Sequence, residues 1–238
     1  MRDRTLCLVL SMLLAGCGGG GGGGGGGAST AAGATAGSVV VQGRVSGDPD
    51  GALVHLLGPT TGAPTLRTLG EAVLDSAEVA RDGAFALRAT EPGPYQVLVS
   101  APGRALTWAE VSAGALVEVA PAPEARLTLE ALDGAGRPEP FCLALVLDAS
   151  GRPLPLVPAE VVTDEGGRLS AGRLPAGRLE VLVLSGDLAR AARTSIDVRE
   201  DEVAVVTVRL DDDPALLARA LRVAGQDELA SVIEGVSR

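Results

Sequence analysis

Two stretches decide the fold: Gly83-Ala84-Phe85-Ala86-Leu87, running on to Pro92-Gly93-Pro94-Tyr95-Gln96-Val97-Leu98-Val99, and their echo 84 residues later. Gly83 maps to Gly167, Phe85 to Leu169, Gly93 to Gly177, Tyr95 to Leu179, Val97 to Val181 and Val99 to Val183. Glycines recur where a turn needs positive φ, and apolar residues recur at every second position, as a strand with one buried face requires. The outward positions drift between the copies. A β-unit present twice in tandem is therefore expected.

Working outward, Val39, Val41, Gly43 and Val45 alternate with Val40, Gln42, Arg44 and Ser46, the period of a half-buried strand. Gly47-Asp48-Pro49-Asp50-Gly51 is a dense turn signal. Leu53 to Leu57 reads as the return strand, with Val54 and Leu56 on one face and His55 on the other. Ala72 to Val79 fits either a strand or a helix. Strands over Phe85 to Leu87, Tyr95 to Ser100, Leu106 to Val111 and Leu116 to Ala120 complete the first set. Pro121-Ala122-Pro123 marks a boundary, after which strands are expected at Leu127–Leu132, Phe141–Leu147, Val161–Val162, Leu179–Leu184, Thr194–Val198 and Val203–Leu210. Short strands punctuated this regularly predict an all-β chain of two tandem antiparallel β-sandwich domains, over residues 38–121 and 122–211.

The pattern changes after Leu210. Asp211-Asp212-Asp213 precedes Pro214, a helix start with an acidic cap and Pro in the first turn. Leu216, Leu217, Ala220 and Leu221 follow at helical spacing, Gly225 breaks the run, and Leu229, Val232, Ile233 and Val236 resume it. Residues 212–238 are thus a helical tail that either packs back on the second sandwich or docks a partner. Negative charge at a helix N-terminus explains the three Asp without a cation.

The N-terminus has a different grammar. Arg2 and Arg4 precede an apolar run from Leu6 to Leu14, too short to span a bilayer, and Leu14-Ala15-Gly16-Cys17 follows. This resembles the lipobox of bacterial lipoproteins. The resemblance implies a signal peptide over residues 1–16, lipidation of Cys17, and several acyl chains there, since one chain holds only marginally. Residues 17–37, which include the ten glycines Gly18 to Gly27, then form a tether spanning roughly 25 Å. No strand or Gly-Lys-Ser/Thr accompanies these glycines, so they do not cradle phosphate. Gly18, where some inner-membrane lipoproteins carry Asp, points to the outer membrane of a cell with two.

Residues 39–120 resemble the carboxypeptidase regulatory-like domains, small transthyretin-like sandwiches. The matching residues are Val41-Gln42-Gly43-Arg44-Val45, Gly51-Ala52-Leu53-Val54-His55-Leu56, Asp82-Gly83-Ala84-Phe85-Ala86-Leu87, Pro92-Gly93-Pro94-Tyr95-Gln96-Val97 and Ala101-Pro102-Gly103-Arg104. An insertion from Pro59 to Leu69 lengthens the usual stretch before the Asp-Gly turn. The second copy matches more loosely, through Leu132 to Pro138, Asp164 to Leu169 and Leu174 to Arg178. Such domains are accessory, so the resemblance implies fold and not chemistry.

The residues do not assemble a reaction. The formal charge of −10 argues against nucleic acid. Every basic side chain is Arg, and the absence of Lys and Asn rules out Lys–Asn isopeptide crosslinks. Cys142 is left alone once Cys7 departs and Cys17 is lipidated, so no intramolecular disulfide forms. One histidine, His55, cannot supply a zinc site, and no nucleophile elbow accompanies it. Asp48/Asp50 and Asp164/Glu165 sit in turns that favour Asp for its backbone geometry. Trp108 is either a core residue or a flat platform for sugar. The expectation is a non-enzymatic, cofactor-free, exported envelope lipoprotein, held in the membrane by its lipid and acting as a structural or protein-interaction module. The alternative is a lipoprotein that binds polysaccharide.

Overall fold

The computed structural model describes residues 39–59, 63–89, 93–112 and 114–236. The expected signal peptide, Cys17 and the tether lie outside the described residues. The chain forms β1 (Val39–Val45), β2 (Leu53–Leu57), α1 (Leu66–Glu71), β3 (Val73–Glu78), β4 (Ala84–Ala89), β5 (Pro94–Ser100), β6 (Thr107–Ser112) and β7 (Leu116–Val119). It continues with β8 (Ala125–Leu132), β9 (Leu143–Leu147), a 3-10 turn (Pro158–Glu160), β10 (Arg168–Leu174), β11 (Gly177–Leu184), β12 (Ala191–Val198) and β13 (Val203–Arg209). Helices α2 (Pro214–Ala224) and α3 (Asp227–Val236) end it.

The first sandwich faces a β4–β1–β7 sheet against a β3–β2–β5–β6 sheet, and the second faces β10–β8–β13 against β12–β11–β9. Register identifies the repeat: Gly43 pairs with Phe85 and Val117, and Leu129 pairs with Leu169 and Val206. The strand pairs are antiparallel except β1–β7 and β8–β13, which are parallel. A parallel neighbour needs a long crossover, and the body of each sandwich between its first and last strands provides one. Where the first sandwich has β3, the second has two isolated bridges to β9, Leu143–Val162 and Leu147–Pro153.

Alternation decides the cores. Val41, Val45, Val54, Leu56, Phe85, Leu87, Tyr95, Val97 and Val99 interdigitate in the first sandwich. Gly43 belongs to this inward row because nothing larger fits: a Cβ there would lie 2.3 Å from the Phe85 ring and 2.5 Å from the Val117 carbonyl oxygen. The second core gathers Leu127, Leu129, Leu169, Leu179, Val181 and Val183. Its hairpins share one turn, Asp-x-x-Gly-Arg, beginning at Asp133, Asp148 and Asp164. In each, the Asp Oδ1 accepts the backbone N–H groups of the residues two and four positions on.

Several expectations are refined. Ala72–Val79, open between strand and helix, is β3. The inserted stretch carries a helix, α1, that has no apolar period to announce it. Thr65 caps it, and Thr68 stands where a capping box usually has Glu or Gln. Phe141 lies before β9, with φ of 56° and the residue 42% exposed. The tail packs back: Leu217, Ala220, Leu221 and Ala224 of α2 cover Leu145, Leu147, Leu182 and Leu184 on the outer face of the β12–β11–β9 sheet. Asp213 caps α2 by accepting from the Leu216 N–H, and Gly225 ends it at φ 86°.

Candidate functional site

The side chains able to do chemistry stand apart. His55 lies on the outer face of β2, its Nδ1 2.7 Å from the Ser76 hydroxyl across the β2–β3 pair. Burial lowers the His55 pKa. A serine beside a histidine is half of a nucleophile relay, which needs a third group to orient the ring. Among the described residues no carboxylate bonds His55. Asp75, the near neighbour, instead accepts the backbone N–H groups of Ser76 and Arg88. Cys142 is fully buried, its thiol pushed up to about 12 by desolvation first and by Glu139 second. Its Sγ donates to the Glu139 carbonyl, and its backbone N–H donates to the Thr163 hydroxyl. It is a packing residue.

The acidic pairs are structural. Asp48 accepts the Asp50 N–H, and Asp164 organises its turn. Asp133 is held below the usual carboxylate range, chiefly by the Arg137 backbone N–H. Among the described residues no group of three or more His, Cys, Asp or Glu could hold a metal ion. An open groove of about 740 Å³ crosses the β4–β1–β7 sheet beside Gln42, Arg44, Ala86 and Glu118. Its one large exposed apolar side chain is Leu116.

What the fold assembles is a junction. The outer face of β3–β2–β5–β6 presents Leu57 and Leu98, joined by Leu106 and by Leu69 of α1, and these are buried in the core of the second sandwich beside Leu154 and Leu174. Trp108, opposite Leu98 in the β5–β6 register, is half-buried against the same core. The Arg152 guanidinium, from the turn after β9, covers one ring face at 4.7 Å from the centroid. Such a cation over the ring face is attracted by its quadrupole. This is the setting of an interface residue, with that face already occupied.

Arg173 ties the junction with polar bonds. It sits at a bulge in β10 with φ of 57°, a left-handed conformation unusual for a residue with a Cβ. The turn aims its carbonyl at the first sandwich, where it accepts the Leu106 N–H at 2.8 Å. Its own N–H donates to Glu124 Oε2 at 2.9 Å. The guanidinium donates to Ser100 Oγ at 3.1 Å and to Glu160 Oε2 at 2.6 Å. A third contact comes from the tail, since a Cβ on Gly225 would lie 2.5 Å from Arg67 Cβ, placing α1 directly against the end of α2. The tail is in turn fastened to the second sandwich by Arg219, bidentate on Glu180 at 2.7 and 2.8 Å. That fork, followed by the Arg219 and Arg193 charges, holds the Glu180 carboxyl below its ordinary range despite partial burial. Reading strands by alternation turns Leu98 away from the first core and leaves Trp108 open between core and platform; the signal that they are covered is the apolar pair itself at cross-strand positions.

No helix among the described residues is long and apolar enough to cross a membrane. No protein-family model and no curated protein matches the chain. Among solved structures it is similar to the minor pilin GBS52 of Streptococcus agalactiae, at 13% identity over 74% of this chain and 97% of that one, with a TM-score of 0.36. The TIE protein of Bacillus anthracis is 15% identical over 73% of this chain and 34% of that one, with a TM-score of 0.31. The shaft pilin SpaA of Lactobacillus rhamnosus GG is 11% identical over 73% and 97%, with a TM-score of 0.31.

Proposed function

We propose that this chain is a non-catalytic envelope lipoprotein, anchored through Cys17, in which two β-sandwiches act as one rigid structural module held off the membrane by the Gly-rich tether. The junction is the observation that supports it. A buried apolar face, the Arg173 bonds and the α1–α2 contact hold the two sandwiches in one orientation, which suits a spacer or presenting body. Catalysis would need groups brought together, and the reactive side chains described above are occupied in turns, caps and cores. The lipobox at Leu14 to Cys17 supports attachment, and Gly18 supports the outer membrane. Trp108, engaged by Arg152, gives a polysaccharide site no platform on that face.

Metabolic labelling with palmitate in a bacterium that processes lipoproteins tests the anchor. Label should enter the wild-type chain and the membrane fraction and be lost from Cys17→Ser, which should accumulate unprocessed. Equal labelling of both chains, or none in either, would refute the anchored reading.

A further inference from the structure

We infer that the chain is built to carry tension along its N-to-C direction, an inference that rests on the anchored reading because a lipid at Cys17 would pull on Val39. Strand β1 is the middle strand of its sheet, hydrogen-bonded to β4 on one side and β7 on the other. It cannot be peeled from an edge. The chain leaves the first sandwich through β7, which runs parallel to β1 in a register from Gln42–Leu116 to Val45–Val119. A pull on Val39 drives β1 one way, and a pull on Val119 drives β7 the other way, both along the strand axis. The bonds of the register are then strained together, and none opens before its neighbours. Had the terminal strands been antiparallel neighbours, both ends would emerge together and the ladder would open one bond at a time. Ser46 extends the grip, its N–H and hydroxyl both donating to the Val119 carbonyl at 2.9 and 3.4 Å.

The second sandwich repeats the device. Strand β8 lies between β10 and β13, and β13 runs parallel to it from Val203–Arg126 to Arg209–Leu132. Tension entering at Ala125 and leaving past Arg209 again strains the register along its length. The connection between the sandwiches has little slack, because the Ala105 N–H donates to the Ala122 carbonyl and Arg104 bridges Pro123. The β8–β13 register holds seven residue pairs and the β1–β7 register four, so the second sandwich should be the last to yield.

Single-molecule pulling on the mature chain, carried as Cys17→Ser, tests this. Cys142 is buried and does not compete for thiol-linked handles. In one chain the handles sit at Ser38→Cys and Arg238→Cys, so that tension runs along the strands. In a second they sit at Asp48→Cys and Ala120→Cys, just beyond β1 and β7 at the same end, so that the same pair is peeled. Thermal melting confirms that both chains are folded. Along the chain we expect the helical tail to release first, followed by two high-force events, each freeing roughly 80 residues or about 280 Å of chain. The first-sandwich event should need severalfold more force along the chain than across it. Equal forces in the two directions, or a weaker N-to-C direction, would overturn the inference. The measurement uses unlipidated chain, so its outcome is independent of the palmitate experiment.

Discussion

Replacing Arg173 by Ala removes the guanidinium from the junction and leaves the backbone turn in place. Two bonds are lost, to Glu160 Oε2 at 2.6 Å and to Ser100 Oγ at 3.1 Å. A hydrogen bond to a charged group is worth about 1.5–3 kcal/mol, and an exposed ion pair about 0–1. The two side chains are 23% and 18% exposed, so the pair lies between these limits, nearer the buried one. We expect a loss of about 2 kcal/mol, which for a chain of this size lowers the melting temperature by about 4–8 °C. Arg173→Gly loses the same bonds but relieves the left-handed strain at φ 57°, about 1–2 kcal/mol for a residue with a Cβ. Part of that gain is cancelled by the freer unfolded chain. The order of melting should therefore be wild type, then Gly, then Ala, read by circular dichroism and by urea titration. Arg173→Ala within about 0.5 kcal/mol of wild type would show that the guanidinium contributes no more than an ordinary surface charge. Arg173→Gly melting below Arg173→Ala would refute the backbone argument.

Gly225→Ala combines a positive φ with a Cβ 2.5 Å from Arg67 Cβ, so it should cost more than about 1 kcal/mol and speed amide exchange in α1, seen by mass spectrometry. Cys142 should ignore thiol reagents in the native chain and react once it unfolds. Its folded pKa of about 12 stands above the unfolded value near 9, so the protonated thiol's contribution is full below pH 9. Stability should then fall by about 1.4 kcal/mol per pH unit as pH rises from there towards 12, measured by urea titration in a comparison with Cys142→Ala. Trp108 is the sole tryptophan; its emission should be blue-shifted, should change in Arg152→Ala, and should show no saturable response to envelope polysaccharide. A chain ending at residue 121 leaves Leu57, Leu98 and Trp108 uncovered and should scatter light at concentrations where the full chain stays clear.

What could be read in the residues and what could not divide along a physical line. Strand faces were legible because alternation is local: Val54 and Leu56 point inward and His55 outward, and Tyr95, Val97 and Val99 share a face. The offset of 84 between Gly83 and Gly167 survives in the paired registers of β4 and β10, because turn glycines and inward apolar residues tolerate little change. The tail was legible from its caps, Asp213 and Gly225. Helix α1 was not, since six residues give no periodic face and Thr68 does not advertise a capping box. The parallel closing strands were hidden because register across a whole sandwich is set by topology, not by neighbours in sequence. The junction was hidden for the same reason: alternation turns Leu98 away from the first core and leaves Trp108 open between core and platform, whereas the second sandwich buries Leu98 and half-buries Trp108. Arg173 gave no sign of its role, because a left-handed Arg within a strand-like run looks like any other Arg.

The closing strands also set the order in which the protein can be made. Strand β1 leaves the ribosome early, yet one of its two partners, β7, follows only after the rest of the first sandwich; β8 waits likewise for β13. Contacts this distant in sequence form slowly. Even a finished first sandwich would show the apolar face at Leu57, Leu98 and Leu106 until the second half emerged to cover it. Partly made chains with such a face are prone to associate. A chain delivered from its N-terminus, by the ribosome or across a membrane, therefore passes through a stage at which this face stands open.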